Sequence, residues 1–456
     1  MKHNDRPTQF AVIAVFVMLA LVCPGIAAQS TPHPIVLKGA LLIDGTGRPA
    51  VENSVVVISE DKIVAAGKSG AVKIPKGADV RDMSGKTIMP ALINLHGHLG
   101  LSTNGFDSTG GKYTAENVEH QLRQYQSYGV GTIASLGEDP ELIFTLRDAQ
   151  HAGKLPGSQL FTAGRGFAEA NAHPNPADAR YHPLTPEEAR ADIDTLAVHH
   201  PDYVKMWVDD NLGHGKKMTP EVYKAIIDQA HSHNIRVFAH MFYLADAKSL
   251  IAAGVDGFAH SIRDQPVDQE LIKLMKARDM FLIPTLVRDE VLFVYTEPSY
   301  WVSDPFFQAG VDSGVVATLR SDDFVEKIRK DPDLQKYKDG LAMAEKNLKT
   351  LSDAGVKIAF GTDSGIPTRF PGYFEHRELQ LMVDAGLTPM QAIVAATGTN
   401  ATILRGEKQF GTLQPGKQAD LLILDASPLQ DIRNSEKLLA VWQAGKPVNS
   451  FSAKKD

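Results

Sequence analysis

Cysteine is almost absent from this sequence of 456 residues: Cys23 is the only one. A single thiol excludes an internal disulfide framework, whatever compartment the chain works in. Basic runs are missing as well. Lys and Arg number 47 against 54 Asp and Glu, a net charge of −7, which argues against nucleic acid or an anionic membrane as partner. No internal repeat or low-complexity tract is visible. The one extended apolar run, Phe10 to Val22, is too short to span a bilayer comfortably.

That run follows Lys2 and Arg6 and precedes Pro24-Gly25-Ile26-Ala27-Ala28-Gln29. Basic n-region, apolar h-region and small-residue cleavage site together read as a secretory signal, residues 1–28, cut after Ala28. An uncleaved N-terminal anchor is the alternative. Ala20-Leu21-Val22 before Cys23 is a poor lipoprotein box. The expected location is periplasmic or secreted, with no membrane attachment after cleavage. The segment removed carries Lys2, Arg6 and Asp5, a net +1, leaving −8 on the mature chain. About 430 remaining residues exceed one ordinary core and suit a barrel with an added domain.

Residues 35–90 read as short strands and turns: Ala40 to Ile43 before Asp44-Gly45-Thr46-Gly47, then Val55 to Ile58 and Ile63 to Gly67 around Glu60-Asp61-Lys62. These are hairpin signals, and the texture returns in Gly411 to Leu424. One composite β-sandwich domain, 29–88 with 408–456, is expected from both chain ends. Between them, over 89–407, strands alternate with helices. An opening run from Thr87 ends at His96-Gly97-His98, and further strands are read at 129–136, 159–163, 203–208, 235–240, 257–260, 280–285 and 356–363. Thr185-Pro186-Glu187-Glu188 and Thr388-Pro389-Met390-Gln391 are capping boxes with proline at the first helical position, and Thr219-Pro220 offers the cap without the box. Eight strands alternating with helices predict an α/β fold, a (β/α)8 TIM-type barrel, with its chemistry at the C-terminal strand ends.

Those ends carry His96 and His98, Lys205, His240, His260 and Asp363. Residues i and i+2 share a strand face, so His96 and His98 can address one metal ion, with Gly97 leaving room for the approach. Imidazole suits zinc and its neighbours. Lys205 interrupts the apolar run Tyr203 to Val208, where a free ammonium would be costly to desolvate. The bland alternative pairs it with Asp209 or Asp210.

This constellation resembles the amidohydrolase superfamily, within it the exported imidazolonepropionase-like and Xaa-Pro dipeptidase (prolidase) branch. The likeness rests on Leu42 to Gly47, Met89 to His98, Gly361-Thr362-Asp363-Ser364-Gly365, His376-Arg377-Glu378-Leu379, and Pro415 to Leu421. It implies two divalent ions, zinc, with a mononuclear site as runner-up. His96, His98 and Asp363 would hold the buried ion and His240 and His260 the exposed one. Lys205, carboxylated by CO2, would bridge both. A hydroxide shared by the ions would attack a polarised carbonyl, and Asp363, the catalytic residue, would carry the proton to the leaving nitrogen. The expected activity is amide hydrolysis of dipeptides or N-acyl amino acids. Another small cyclic amide, ester or lactone, or a non-catalytic binder on the same barrel, remains open. Tyr243 stands where related deaminases place a glutamate, which counts against deamination. His173, Tyr243, Arg263 and Arg288 are candidate substrate contacts, the arginines as carboxylate forks. Segment 289–345, rich in aromatics and helical from Phe324 to Leu348, reads as a lid over the pocket or as an oligomer contact. A homo-oligomer acting on a small molecule is expected.

Overall fold

The computed structural model describes Met1 and residues 33–110, 112–170, 179–297 and 300–451. The signal segment, its cleavage site and His173 lie outside the described residues. Residues from His33 onward form one unit.

The barrel begins with Leu92–Gly97, followed by Val130–Ser135 and Gln159–Thr162 in one parallel ladder. Strand three breaks there and resumes as Gly166–Ala168, which pairs with strand four, Val204–Trp207. Strands five to eight are Val237–His240, Gly257–Phe258, Phe281–Leu282 and Lys357–Ile358, each parallel to the one before. Asp202 N donates to Thr162 O, and Leu95 N donates to Phe360 O, both at 3.0 Å, which bridges the ladders and returns strand eight to strand one. The result is the (β/α)8 barrel expected. Helices cover its outside. Thr185 accepts from Glu188 N, while the Glu188 carboxylate reaches back to Leu184 N rather than to the cap itself. Thr388 and Gln391 complete both halves of their box.

Alternation along the strands sorts the barrel interior. Tyr203 and Phe238 fill its lower part, stacked with ring centroids 5.0 Å apart. Two residues further on, the same faces carry Lys205 and His240. An apolar plug therefore sits beneath the polar rim, and each such ring removed from water contributes roughly 1.5–3 kcal/mol.

Two β sheets assembled from both chain ends face each other beside the barrel. One runs Lys62–Lys68, Ser54–Ser59, Ile35–Lys38, Asp79–Asp82; the other Lys446–Val448, Leu438–Gln443, Leu421–Leu424, Thr87–Pro90, Leu41–Leu42. Leu37, Val56 and Ile58 from the first share a core with Ile88, Leu421, Ile423 and Trp442 of the second. The opening run is thus divided. Thr87–Pro90 pairs antiparallel with Leu421–Leu424, and only from Leu92, whose N–H goes to Gly129 O, does the chain enter the barrel. The sandwich extends past residue 88 to Pro90.

Segment 289–345 folds into short helices followed by the long helix Leu334–Asp353. Leu292, Lys336, Tyr337 and Gly340 of this segment border the pocket beside His240, while other aromatics of it are spent on packing. Trp301, Phe306 and Phe307 are buried and pack edge-on against Tyr128, Phe370, Tyr373 and Phe374. Among the described residues no helix is long and apolar enough to cross a membrane.

Candidate metal centre

His96, His98, Lys205, His260 and Asp363 meet at the C-terminal mouth of the barrel, all buried, with His240 at its edge. Ring centroids fall 5.6 Å apart for His96 and His98, 4.7 Å for His96 and His260, and 4.3 Å for His240 and His260. Donor atoms of His96, His260 and Asp363 lie within 4.8 Å of one another.

Outer partners set which nitrogen each imidazole presents. His96 Nδ1 donates to Ala259 O at 2.8 Å, turning Nε2 inward to 3.2 Å from Asp363 Oδ1 and 3.4 Å from Lys205 Nζ. His260 Nδ1 donates to Thr285 Oγ1 at 2.6 Å, and that hydroxyl donates to Pro284 O. His98 Nδ1 donates to Gly137 O at 3.3 Å, with Nε2 2.8 Å from Asp363 Oδ1. His240 is held the other way round: its Nε2 lies 2.8 Å from Asp209 Oδ2, so Nδ1 is the nitrogen it offers. Burial, then the nearby Lys205 ammonium, pushes His96 down to about 3. Burial also takes His260 well below the usual range. Both rings are neutral, with lone pairs available.

Lys205 is fully buried and forms no ion pair among the described residues; Asp209, the partner that the alternative reading offered it, serves His240. Burial pushes the amine down to about 7, helped by Arg180 and Arg288 and opposed by Asp363 and Asp209. Asp363 sits in the left-handed region, φ +60°, and its N–H donates to His96 O at 2.5 Å. Burial alone would raise its carboxyl; Arg369, followed by His96, holds it well below the carboxylate range instead. Two glycines let strand eight come this close. A Cβ on Gly361 would meet His96 Cβ at 2.7 Å, and one on Gly365 would meet His98 O at 1.9 Å. Gly97 has a different use: its missing Cβ clears Ile133 at 2.5 Å, a packing demand.

Neutral imidazoles, a buried carboxylate and a buried lysine whose donors converge on one point make a set that fits divalent metal. The profile of the amidohydrolase family matches residues 87–448. The chain belongs to the amidohydrolase family. Ochratoxinase of Aspergillus niger is 26% identical, the match covering 92% of this chain and 88% of the relative. Imidazolonepropionase of Streptomyces griseus is 24% identical over 91% of this chain and 97% of its own. A crystal structure from Bifidobacterium longum, provisionally named a prolidase, superposes with TM-score 0.74 at 28% identity, covering 93% and 96% of the two chains.

The His376 to Leu379 stretch of this amidohydrolase builds the frame around the centre. His376 Nε2 donates to Tyr128 O at 2.8 Å. Arg377 pairs with Glu290. Glu378 accepts from Leu286 N and Val287 N at 2.9 and 2.7 Å, fixing the turn that carries Thr285. Just before it, Glu375 takes Asn94, Thr362 and Ser364 at 2.6, 2.7 and 2.7 Å, which ties strand one to the strand-eight turn of Asp363.

The substrate candidates separate. Arg288 and Arg263 each donate to Asp289 Oδ1 at 2.7 Å. Arg263 also donates to Met241 O at 3.0 Å and is sealed in. The Arg288 side chain keeps 19% exposure, with Nε 3.7 Å from Asp363 Oδ2. Tyr243 turns away: its hydroxyl donates to Asp210 at 2.9 Å and Lys217 lies over its ring, while Phe242 lines the pocket instead. Sequence reasoning passed over Asp209 as a histidine partner, and it passed over Thr285, Glu138, Arg180 and Arg369. Arg369 pairs with Asp363 Oδ2. Glu138, 3.6 Å from His98 Nδ1, pairs with Arg180, whose guanidinium lies over Trp207. Only Asp209, in the acidic pair after strand four, left a readable signal.

Proposed function

We propose that this amidohydrolase cleaves the amide bond of dipeptides or N-acyl amino acids whose leaving group is an amino acid with a free carboxylate, proline or a bulky apolar residue. One observation carries the reading. Beside His240 opens a pocket of about 150 Å3 bordered by Asp209, Phe242, Arg263, Arg288, Leu292 and Tyr337. Arg288 and Arg263 share Asp289 Oδ1 there, and Arg288 also stands 3.7 Å from Asp363 Oδ2, so a guanidinium is held beside the centre. Arg288 Nε makes no hydrogen bond among the described residues. A buried N–H left without an acceptor is costly unless a substrate oxygen completes it, and guanidinium forks suit carboxylates.

His96, His98 and Asp363 would hold one zinc ion and His240 and His260 a second, with Lys205, as its carbamate, between them. Such ions polarise a carbonyl and bring a bound water's pKa toward neutrality. A Lys205 amine near 7 is partly uncharged at neutral pH, the form that combines with CO2. Asp363, kept ionised by Arg369, accepts the proton of the attacking water and returns it to the leaving nitrogen, which must not depart as an amide anion. Arg288 holds the substrate carboxylate on the far side of the scissile bond, and Phe242 and Leu292 give its side chain an apolar wall. We infer that residues 1–28 direct export, so the substrate is met in the periplasm or outside the cell.

The test is a matched set: an N-acyl amino acid, its C-terminal amide and the corresponding ester. The free acid is expected to turn over best, with the amide losing at least about tenfold in kcat/KM, or about 1.4 kcal/mol. Equal rates for acid and amide, or turnover of esters alone, would remove the carboxylate reading and leave an amidohydrolase of another substrate class.

A further inference from the structure

The end of the barrel away from the metal centre holds a second cavity, of about 510 Å3. Its walls are the segments entering strands four and five, His200 to Tyr203 and His233 to Arg236, with Ile403 to Arg405 on the third side. Two arginines face each other across the last gap. Arg236, half-buried, donates to Ile403 O at 2.7 Å, and Arg405 donates to Asn234 O at 3.4 Å. Each guanidinium thus ties down the segment bearing the other, which holds the pair side by side.

Neither arginine forms an ion pair among the described residues. Glu407, exposed and two residues from Arg405, acts on Arg236 together with Asp256 and Asp279; the other nearby carboxylates are engaged by further groups. Asp202 accepts from Thr162 N at 2.8 Å and lies 3.5 Å from Arg147. Asp256 takes Val237 N and His231, Asp279 takes Lys357 at 2.6 Å, and Asp194 takes His233 at 2.7 Å. A neighbouring lobe of about 410 Å3 shares Arg236 and adds Arg278, which forms no ion pair among the described residues. Arg236, Arg405 and Arg278 thus gather at one end of the barrel on a chain of net charge −7.

Helix capping accounts for only part of this. Arg236 on Ile403 O complements the C-terminus of the helix Asn400–Ile403, as a cation there should. A cap needs one cation, and a second beside it adds repulsion: Arg405 lowers the Arg236 pKa, an effect second only to burial. Each fork has five N–H donors, of which the carbonyl bond uses one, and parallel donors are the geometry that receives oxyanions.

We propose that this cavity binds a small oxyanion of charge −2 or more, a phosphate or a di- or tricarboxylate, between Arg236 and Arg405. Its volume falls within the range of small-molecule pockets, roughly 300–1,000 Å3.

Calorimetric titration of the full chain with inorganic phosphate and, separately, with tricarballylate, at constant ionic strength, reads the site. The expected result is saturable binding of at least one anion with Kd of about 5 mM or tighter. The better ligand decides between an inorganic or phosphoryl group and an organic acid. Arg405→Asn, chosen because asparagine tolerates the left-handed backbone at φ +58°, should weaken binding about tenfold. Arg236→Gln combined with it should abolish binding. Amide turnover should be unchanged in both variants, since neither residue belongs to the centre. Should the double variant not fold, the exposed Arg405→Asn change carries the decision alone. No saturable binding of either anion, or equal affinity in wild type and Arg405→Asn, overturns the proposal, the second result placing the anion at the metal centre.

Discussion

Replacing Arg288 by alanine isolates the contact on which substrate choice rests. In the native chain Asp289 Oδ1 accepts from both Arg288 and Arg263 at 2.7 Å. Removing Arg288 leaves a one-to-one Arg263–Asp289 pair, so no buried carboxylate is orphaned and the fold should tolerate the change. What is lost is the partly exposed guanidinium beside Asp363. A hydrogen bond to a charged group contributes about 1.5–3 kcal/mol, so kcat/KM for an N-acyl amino acid should fall about 10- to 150-fold. The C-terminal amide of the same substrate has no carboxylate to lose and should change by less than about threefold. The assay is therefore a four-corner cycle, two enzymes against two substrates, read as kcat/KM. Wild type should prefer the acid and Arg288→Ala should not. If the variant keeps the wild-type preference for the acid, Arg288 is a structural partner of Asp289 and the carboxylate is recognised elsewhere or not at all.

Lys205→Ala should give a poorly metallated, inactive protein, part of whose activity returns with added short carboxylates; normal metal content and rate would make the lysine structural. Asp209→Asn leaves His240 without its anionic partner, and metal titration should show the second ion bound about 10- to 100-fold more weakly with the first unaffected; two unchanged affinities would contradict the assignment. Glu378, pushed up to about 8 chiefly by burial from an ordinary 4.5, binds its proton more tightly folded than unfolded. Its contribution is therefore fully present below pH 4.5 and is lost as pH rises through 8. Thermal midpoints of Glu378→Gln across that window should fall less steeply with pH than wild type; parallel curves would refute the account.

The strand-end histidines were legible because alternation and strand length constrain where a side chain can point. His96, His98, His240 and His260 each close an apolar run, and the barrel gathers run ends at one mouth. Lys205 was legible for the opposite reason, as a charge where an apolar residue belongs. Asp209 was visible but its partner was not. That choice depends on the register placing Trp207 opposite His240, with Val208 N on His240 O, which no local pattern encodes. Arg369 and Glu375 act through turns that fold back across strand one, contacts long in sequence and without periodicity. Which residues of 289–345 would reach the pocket was not legible, because composition does not tell which face of a short helix is buried. Trp301 and Phe307 face the helix Tyr373–Asp384, while Leu292 and Tyr337 border the pocket. The division at Pro90 was hidden because two strands of different sheets, joined by Ala91 alone, read as one apolar run.

The central claim is amide hydrolysis that depends on metal held by these side chains, and metal content measured together with turnover tests it most directly. Purified protein should carry two divalent ions per chain. Turnover of an N-acyl amino acid should disappear as a chelator strips them and return in proportion to zinc restored, with Asp363→Ala inactive at any loading. Full turnover by a metal-free chain would contradict the account, and one ion at most with full activity would contradict its binuclear form.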